Sequence, residues 1–392
     1  MSLRHGKEFL MIPGPTNVPE EVLRAMHRPA VDIYEGPLLE TTDYCLTSLK
    51  QLFRTQGRTY IYAANGHGAW DAALCNTLNR GDKILVLESG RFALGWGEAA
   101  EITGLTVEIL PGSWKAGVDP ARLEDRLKQD TAHEIAAILV VQVDTASGVW
   151  NDIEALRKAI DAAGHPALFM VDTIASLGCM PFEMDAWGVD VALTGSQKGL
   201  MCPPGLSFVA ASPKADKAHE NANLRTNYTD WTFRQGPEHY QKYCGTPPEH
   251  LLYAFQKALE LLFGEGVENA WNRHALLGEA TRRAVAEWSR EDALDFNISE
   301  PHARSNSVTV VRLDSAHATA LRTFTKEICG VTIGGTIGEI SGEGIRIAHM
   351  GHVNAVMLLG TLSTIELGLE TLKIPYGKGG VQAAISYLSE AI

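Results

Sequence analysis

The sequence predicts an α/β fold in which a doubly wound, mostly parallel sheet forms a large domain and a smaller α+β domain follows it. First, short continuous apolar runs alternate with helix-length stretches over the first half of the chain, as in doubly wound sheets. Second, the pattern changes after Pro247, where apolar residues begin to recur at helical spacing. Third, 392 residues exceed what one hydrophobic core usually supports, so two domains are expected.

Seven apolar runs are predicted to be strands, because each is short and is bounded by turn residues. They are residues 59–65, 83–89, 106–112, 135–143, 167–172, 189–195 and 205–212. Helical patterns separate them at residues 69–78, 91–103, 120–129 and 153–163. This alternation of strands and helices is typical of a doubly wound sheet.

The second domain is predicted from the pattern beyond residue 247. A long helix is expected to stop at Gly264 and Gly266, and a second helix follows through Trp288. We therefore predict an N-terminal arm (1–20), a large domain (21–265) and a small domain (266–392), the last with short strands in 306–313 and 344–350. The polar and aromatic stretch 228–249 is predicted to be a long functional loop.

Composition excludes several classes of protein. The net charge of −13 argues against a nucleic-acid or anionic-membrane partner. The six cysteines show neither a CxxC motif nor metal-type spacing, so we expect reduced thiols and no metal site. There is no run of 18 apolar residues and no signal-peptide pattern, so a soluble, cytoplasmic protein is expected.

A carboxylate and a lysine follow two of the predicted strands. Asp172 ends one apolar run, and Lys198 lies just beyond another. The carboxyl ends of parallel strands share one edge of the sheet, where ligands bind. A lysine that bonds to an aldehyde, and an acid that faces a ring nitrogen, are what pyridoxal 5'-phosphate requires. The pair predicts this cofactor, with Lys198 and Asp172 catalytic; a helix N-cap and a solvated loop lysine are the alternative roles.

A glycine-containing turn is the predicted phosphate site. Asn65-Gly66-His67-Gly68 follows an apolar strand and opens a helix. Its free amide groups would face an anion at the positive end of that helix, and His67 would add a side chain to the wall. An ordinary strand-to-helix turn is the alternative. Gln197, beside the lysine, can also donate to the phosphate.

Arg346 lies in a short strand that is otherwise apolar. A buried guanidinium is costly without an anionic partner, and its forked geometry matches a carboxylate. We predict that Arg346 binds the α-carboxylate of an amino acid and of a 2-oxo acid. An internal ion pair is the alternative explanation. His349 and His352 receive no role.

Six segments, in order along essentially the whole chain, resemble class V aminotransferases of the alanine/serine–glyoxylate type. They are residues 11–23, 62–74, 144–148, 194–209, 243–248 and 344–351. The resemblance implies a fold type I pyridoxal-phosphate transferase. It also implies ping-pong transfer of an amino group from serine or alanine to glyoxylate or pyruvate.

The resemblance assigns further residues of the site. Phe92 is expected to stack on the cofactor, with Trp96 only packing nearby, and Thr145 is expected near the phenolic oxygen. Tyr243 and Thr246 match residues that reach the phosphate from the other subunit. The resemblance therefore implies a homodimer whose active sites are shared across the interface.

One segment departs from the family pattern. Residues 31–38 read VDIYEGPL where typical members have a His-Arg pair, which places Tyr34 and Glu35 at the substrate entrance. This feature resembles pyridoxamine–pyruvate transaminases, whereas the NGHG turn and the GGTIGE segment do not. Activity on a pyridoxamine-type amine is thus one alternative. A lyase or desulfurase is another, but desulfuration requires a nucleophilic cysteine on a mobile loop, and neither Cys244 nor Cys329 has a supporting signature.

Overall fold

Two β-sheets with separate apolar cores organise the computed structural model, which describes residues 2–392. The strands are β1 (Phe9–Met11), β2 (Arg58–Tyr62), β3 (Lys83–Leu87), β4 (Thr106–Leu110), β5 (Ile135–Val141), β6 (Val143–Asp144), β7 (Val149–Trp150), β8 (Leu168–Asp172), β9 (Val191–Gly195), β10 (Ser207–Ala211), β11 (Asp295–Phe296), β12 (Val308–Arg312), β13 (Val331–Gly335) and β14 (Gly344–Ala348).

Strands β6 and β7 pair as a separate two-stranded antiparallel sheet, and helices surround the two larger sheets. They are α1 (Glu20–Met26), α2 (Pro37–Phe53), α3 (Gly66–Thr77), α4 (Arg91–Thr103), α5 (Pro120–Gln129), α6 (Ile153–Ala163), α7 (Pro213–Asn221), α8 (Trp231–Arg234), α9 (Glu249–Glu265), α10 (Val267–Trp288), α11 (Ser315–Cys329), α12 (Ala355–Thr371) and α13 (Gly380–Ala391). Short 3-10 helices cover His239–Tyr243, Pro301–Ala303 and Gly338–Ile340.

The larger sheet has the strand order β2-β10-β9-β8-β5-β3-β4. Only β10 runs antiparallel to its neighbours, and the remaining pairs are parallel. Its central strands β8 and β9 are buried along their whole length, since helices pack on both faces. The prediction of a doubly wound, mostly parallel sheet is confirmed.

The smaller sheet has the order β1-β13-β14-β12-β11 and is antiparallel apart from the β1–β13 pair. Its core lies against α10, α11 and α12. The segment expected to be an N-terminal arm therefore contributes an edge strand to this sheet. The chain then leaves β1 and passes directly over the carboxyl edge of the larger sheet, where Thr16 bonds to the backbone of Gln197.

The prediction of a long loop over 228–249 was wrong in part. Residues Trp231–Arg234 form α8, which Asp230 caps by accepting from the amide of Thr232. The buried Arg234 guanidinium donates to the backbone carbonyls of Ile61, Tyr228 and Lys242. These bonds fold the segment against β2, and its aromatic residues pack there.

Within residues 2–392, no helix combines the length and the apolar character that crossing a membrane requires.

Candidate active site

A cavity of about 320 Å³ opens at the carboxyl edge of the larger sheet. Every residue that was predicted to hold the cofactor of its own chain lines this cavity. These are Gly66, His67, Phe92, Thr145, Asp172, Gln197 and Lys198. The structure thus brings together residues that are scattered over more than 130 positions of the sequence.

Asp172 ends β8 at the floor of this cavity and is only 2% exposed. Its two oxygens accept from the indole Nε1 of Trp70 and from the amide of Ile174, each at 2.7 Å. Burial raises the pKa of Asp172 to about 7, and these two hydrogen bonds oppose that rise. No helix follows Asp172, so the alternative role of a helix N-cap is not observed.

Lys198 follows β9 and is partly exposed to the cavity. The loss of hydration there, and then the charge of Arg346, lower the pKa of its amine to about 8, while Asp172 acts in the opposite direction. A lowered pKa increases the neutral fraction of the amine that can act as a nucleophile or base. Lys198 is therefore not a solvated loop lysine, which was the alternative role.

The chain segment after β1 holds Lys198 in place. The lysine amine donates to the carbonyl of Pro13, and the hydroxyl of Thr16 donates to the carbonyl of Lys198 at 2.9 Å. Between them, Gly14 has a φ of 107°, and a Cβ there would lie 2.5–2.7 Å from three atoms of the lysine side chain. Only glycine permits this approach.

The predicted phosphate turn forms the start of α3. The Asn65 side chain caps the helix, because its Oδ1 accepts from the amides of His67 and Gly68 at 3.1 and 3.4 Å. The amide groups expected to be free are therefore occupied by Asn65. The helix consequently begins at Gly66 rather than at residue 69 as predicted.

The remaining groups at this end of the cavity suit an anionic cofactor. The buried Oε1 of Gln197 has no hydrogen-bond partner among residues 2–392. The His67 ring is exposed and meets Trp70 edge-on, with ring centroids 4.4 Å apart. A helix N-terminus, a lysine and a buried acid fit the needs of pyridoxal phosphate. The Nε2 of Gln197 can donate to a phosphate, whereas its unpaired Oε1 is an acceptor.

Arg346 lies on β14 beside the cavity. Its Nε donates to the carbonyl of Gly335, and its Nη1 donates to the carbonyl of Thr145 at 3.1 Å. It forms no ion pair with any carboxylate in residues 2–392, so the internal ion pair considered above is absent. Burial lowers the pKa of Arg346 to about 10, and the nearby charge of Asp144 opposes that effect.

Besides Arg346, four predicted residues do not line the cavity of their own chain. Tyr34, which is 66% exposed, Glu35 and Thr246 are on the surface. Tyr243 is buried, and its hydroxyl bonds to that of Thr42 at 2.7 Å. His239 bonds both to Thr42 and to the carbonyl of Ile33, so the two segments are neighbours on one face.

Several site residues were not predicted from the sequence. Trp70, Gly14 and Thr16 contact Asp172 or Lys198 directly. Asp144 is buried between two cavity-lining residues, Val143 and Thr145. Its position in the DTASG motif, immediately after a predicted strand, was the available signal.

Comparison with known proteins identifies the family. The family model described as Aminotransferase class-V matches residues 9–350. A serine–glyoxylate aminotransferase of Methylorubrum extorquens is 40% identical over 99% of this chain and 97% of its own length. An L-aspartate–glyoxylate aminotransferase of Paracoccus denitrificans is 36% identical over 96% of this chain and 94% of its own length.

A solved structure supports the same assignment. The pyridoxamine–pyruvate aminotransferase of Mesorhizobium loti superposes with a TM-score of 0.87 and 25% identity, and the match covers 99% of each chain. Fold and full-length sequence similarity therefore agree. The chain belongs to the class V aminotransferase family.

Proposed function

We propose that this aminotransferase moves an amino group from a small amino acid, serine or alanine, to glyoxylate or pyruvate by a ping-pong mechanism. The observation that carries the proposal is one cavity containing Lys198 and Asp172, with Arg346 beside it. The names of the relatives favour glyoxylate as the acceptor. Serine is the first donor to test, because the relative at 40% identity is named for it.

The cavity residues fit pyridoxal phosphate, which supplies an electron sink for the pair released when the substrate Cα loses its proton. Asp172 would hold the ring nitrogen, and Lys198 would bond to the aldehyde. Gln197, His67 and the start of α3 would hold the phosphate.

Each of the chain's own residues then has a defined task. Arg346 keeps a guanidinium group available for the substrate carboxylate, because its two hydrogen bonds go to neutral carbonyls. Lys198 Nζ can take the proton from the substrate Cα, since its lowered pKa leaves part of the amine neutral near pH 8. Phe92 and Thr145 line the wall against which the ring would lie.

The first test is the absorbance spectrum of the purified protein with bound pyridoxal phosphate. Serine, alanine, aspartate and pyridoxamine are added singly, and glyoxylate or pyruvate is added afterwards. We expect serine or alanine to remove the cofactor band and glyoxylate to restore it. Reduction with borohydride, followed by peptide mass spectrometry, should locate the cofactor on Lys198. Absence of the band in protein supplied with pyridoxal phosphate would contradict the role of Lys198.

Pyridoxamine–pyruvate transamination is a second candidate. The solved structure at 25% identity and the Tyr34-Glu35 segment favour it. A spectral response to pyridoxamine and pyruvate, with no response to the amino acids, would support this activity instead. A desulfurase receives no support from the cavity, because none of the residues that line it is a cysteine.

We also propose a homodimer in which Tyr243 and Thr246 complete the partner's phosphate site and Tyr34 and Glu35 border its entrance. The two segments share one face and lie outside the cavity of their own chain. Subunits carrying Lys198→Ala can be mixed and exchanged with subunits carrying Thr246→Ala. Shared sites predict that activity returns in the hybrid, because one cavity then has both an intact lysine and an intact partner threonine. A monomer in light scattering, or no recovery after proven exchange, would exclude this arrangement.

A further inference from the structure

Helix α4 begins without a side-chain cap of its own. Its N-cap residue is Gly90, and the cap comes instead from Asp144, some fifty positions away in the sequence. Asp144 Oδ2 accepts from the amides of Phe92 and Ala93 at 2.9 and 3.0 Å, and Oδ1 accepts from Ala146 at 3.0 Å. One carboxylate therefore joins the start of α4 to the turn after β6.

The surroundings are built closely around this carboxylate. Asp144 is fully buried, and a Cβ at Gly90 would lie 2.3–2.6 Å from its carboxyl atoms. Gly90 has a φ of 167°, an extended conformation open to any residue. Space for the carboxylate, and not backbone strain, thus favours glycine at this position.

The same carboxylate is linked to two walls of the cavity. Phe92, whose amide it accepts, lines one wall, and Thr145, its neighbour in sequence, lines another. The carbonyl of Thr145 in turn accepts from Nη1 of Arg346. Displacing Asp144 would therefore disturb both the aromatic ring and the hydrogen bond that orients the arginine.

Asp144 also supplies negative charge near Arg346, which has no direct carboxylate partner among residues 2–392. Burial raises the pKa of Asp144 to about 6, while its three amide donors and Arg346 oppose the rise. The group is thus largely ionised at neutral pH. Its charge reduces the positive potential that Arg346 presents to an incoming anion.

We propose that Asp144 is a positioning residue of the amino-transfer site, which holds Phe92 and Thr145 in place and partly offsets the charge of Arg346. Arg346 then binds a carboxylate less tightly than an uncompensated arginine would, and the 2-oxo acid product is released more readily. The inference rests on the proposed function, because it takes Arg346 as the carboxylate site.

Three variants separate charge from geometry. Asp144→Asn removes the charge and keeps an acceptor oxygen, whereas Gly90→Ala keeps the charge and pushes the carboxylate away from the amides. Asp130→Asn is the matched control: Asp130 is also buried and accepts from two backbone amides, those of Glu134 and Ile135, but it does not line the cavity.

The measurement is calorimetric binding of pyruvate to the protein loaded with pyridoxal phosphate, together with kcat and the melting temperature. We expect Asp144→Asn to bind pyruvate roughly tenfold more tightly, the order expected for a unit charge acting over several ångströms at a protein-like dielectric. Its kcat should fall. Gly90→Ala should lower kcat without tightening binding, and Asp130→Asn should lower only the melting temperature.

Unchanged or weaker pyruvate binding in Asp144→Asn would overturn the inference, since a purely structural role predicts that result. Arg346→Ala distinguishes this failure from a failure of the proposed function. If Arg346→Ala leaves pyruvate binding intact, Arg346 is not the carboxylate site, and the proposed function is wrong at that residue.

Discussion

At the scale of single residues, the site depends on contacts between parts of the chain that are distant in sequence. Asp172 and Lys198 were predicted because each follows an apolar run and carries a charge. Trp70 and Gly14 were not predicted, since no local pattern marks a tryptophan that will donate to Asp172 or a glycine that will pass over a lysine. Residue types that carry chemistry are visible in a sequence, whereas the residues that hold them become visible only after folding.

Gly14→Ala should displace Lys198. The new Cβ would lie 2.5–2.7 Å from the lysine side chain, and the φ of 107° is strained for any residue with a Cβ. We expect at least about tenfold less covalently bound cofactor at limiting pyridoxal phosphate, since a loss of about 1.4 kcal/mol is sufficient. Absorbance and borohydride trapping measure it.

Gly379→Ala is the control for this substitution. Gly379 has a similar φ of 94°, but no atom lies within 4 Å of the position of its Cβ. It should therefore carry the backbone penalty without the loss of cofactor. Equal cofactor incorporation in Gly14→Ala and the wild type would show that the lysine adjusts freely.

At the scale of elements, local signals account for some of the predictions that succeeded. The bounds of α5 and α6 match the prediction, because Asp119 and Asp152 cap them and Pro120 opens α5. The prediction for 228–249 was wrong in part because α8 is only four residues long and is held by a buried arginine. Its pattern in the sequence resembles a loop.

The cap of α3 leads to a prediction about cofactor binding. Asn65→Ala should destabilise the cofactor-free protein by about 1 kcal/mol, the usual contribution of an N-cap. It also frees the amide of His67, whose acceptor is the Asn65 side chain, whereas the amide of Gly68 still donates to the backbone carbonyl of residue 65. We therefore expect pyridoxal phosphate to stabilise the variant more than it stabilises the wild type, as measured by unfolding with and without cofactor.

Asp152→Ala is the matched substitution, because Asp152 caps α6 through the amide of Ala155 and does not line the cavity. It should lose similar stability and show the wild-type response to cofactor. A weaker response in Asn65→Ala would instead show that the Asn65 carboxamide binds the phosphate itself.

At the scale of the whole molecule, the doubly wound, mostly parallel sheet followed from alternating strands and helices, but its strand order and the placement of β1 did not. A three-residue strand carries too little pattern to reveal a partner more than 300 positions away. Two buried histidines also connect distant segments. His274 bonds to the carbonyl of Ala270 and accepts from the amide of Gly351, and His349 bonds to Asn306 and Thr309.

His274 should make stability depend on pH. Burial lowers its pKa to about 4, whereas the unfolded chain has the ordinary value near 6.5. The unfolded state then binds the proton first, so this contribution to stability is lost as the pH falls from about 6.5 towards 4. His274→Gln keeps an acceptor for Gly351 and cannot titrate.

We expect the wild type to lose about 2 kcal/mol more than His274→Gln between pH 7 and pH 5, in urea unfolding. Taking the difference between the two proteins removes the opposing effects of Asp144 and Asp172, whose pKa values burial raises. His27→Gln, at an exposed position, controls for replacement of a histidine. Parallel pH curves for the wild type and His274→Gln would contradict the prediction.

The pairing of β1 with β13 also affects biosynthesis. Phe9–Met11 leaves the ribosome long before Val331–Gly335 is translated, and at bacterial or eukaryotic elongation rates the interval is on the order of tens of seconds. Until then β1 has no partner strand, and the residues that follow it, Pro13 to Thr16, are not yet anchored over Lys198. The contacts of Pro13 and Thr16 with Lys198 therefore gain the support of the β1–β13 pair only after translation has passed β13.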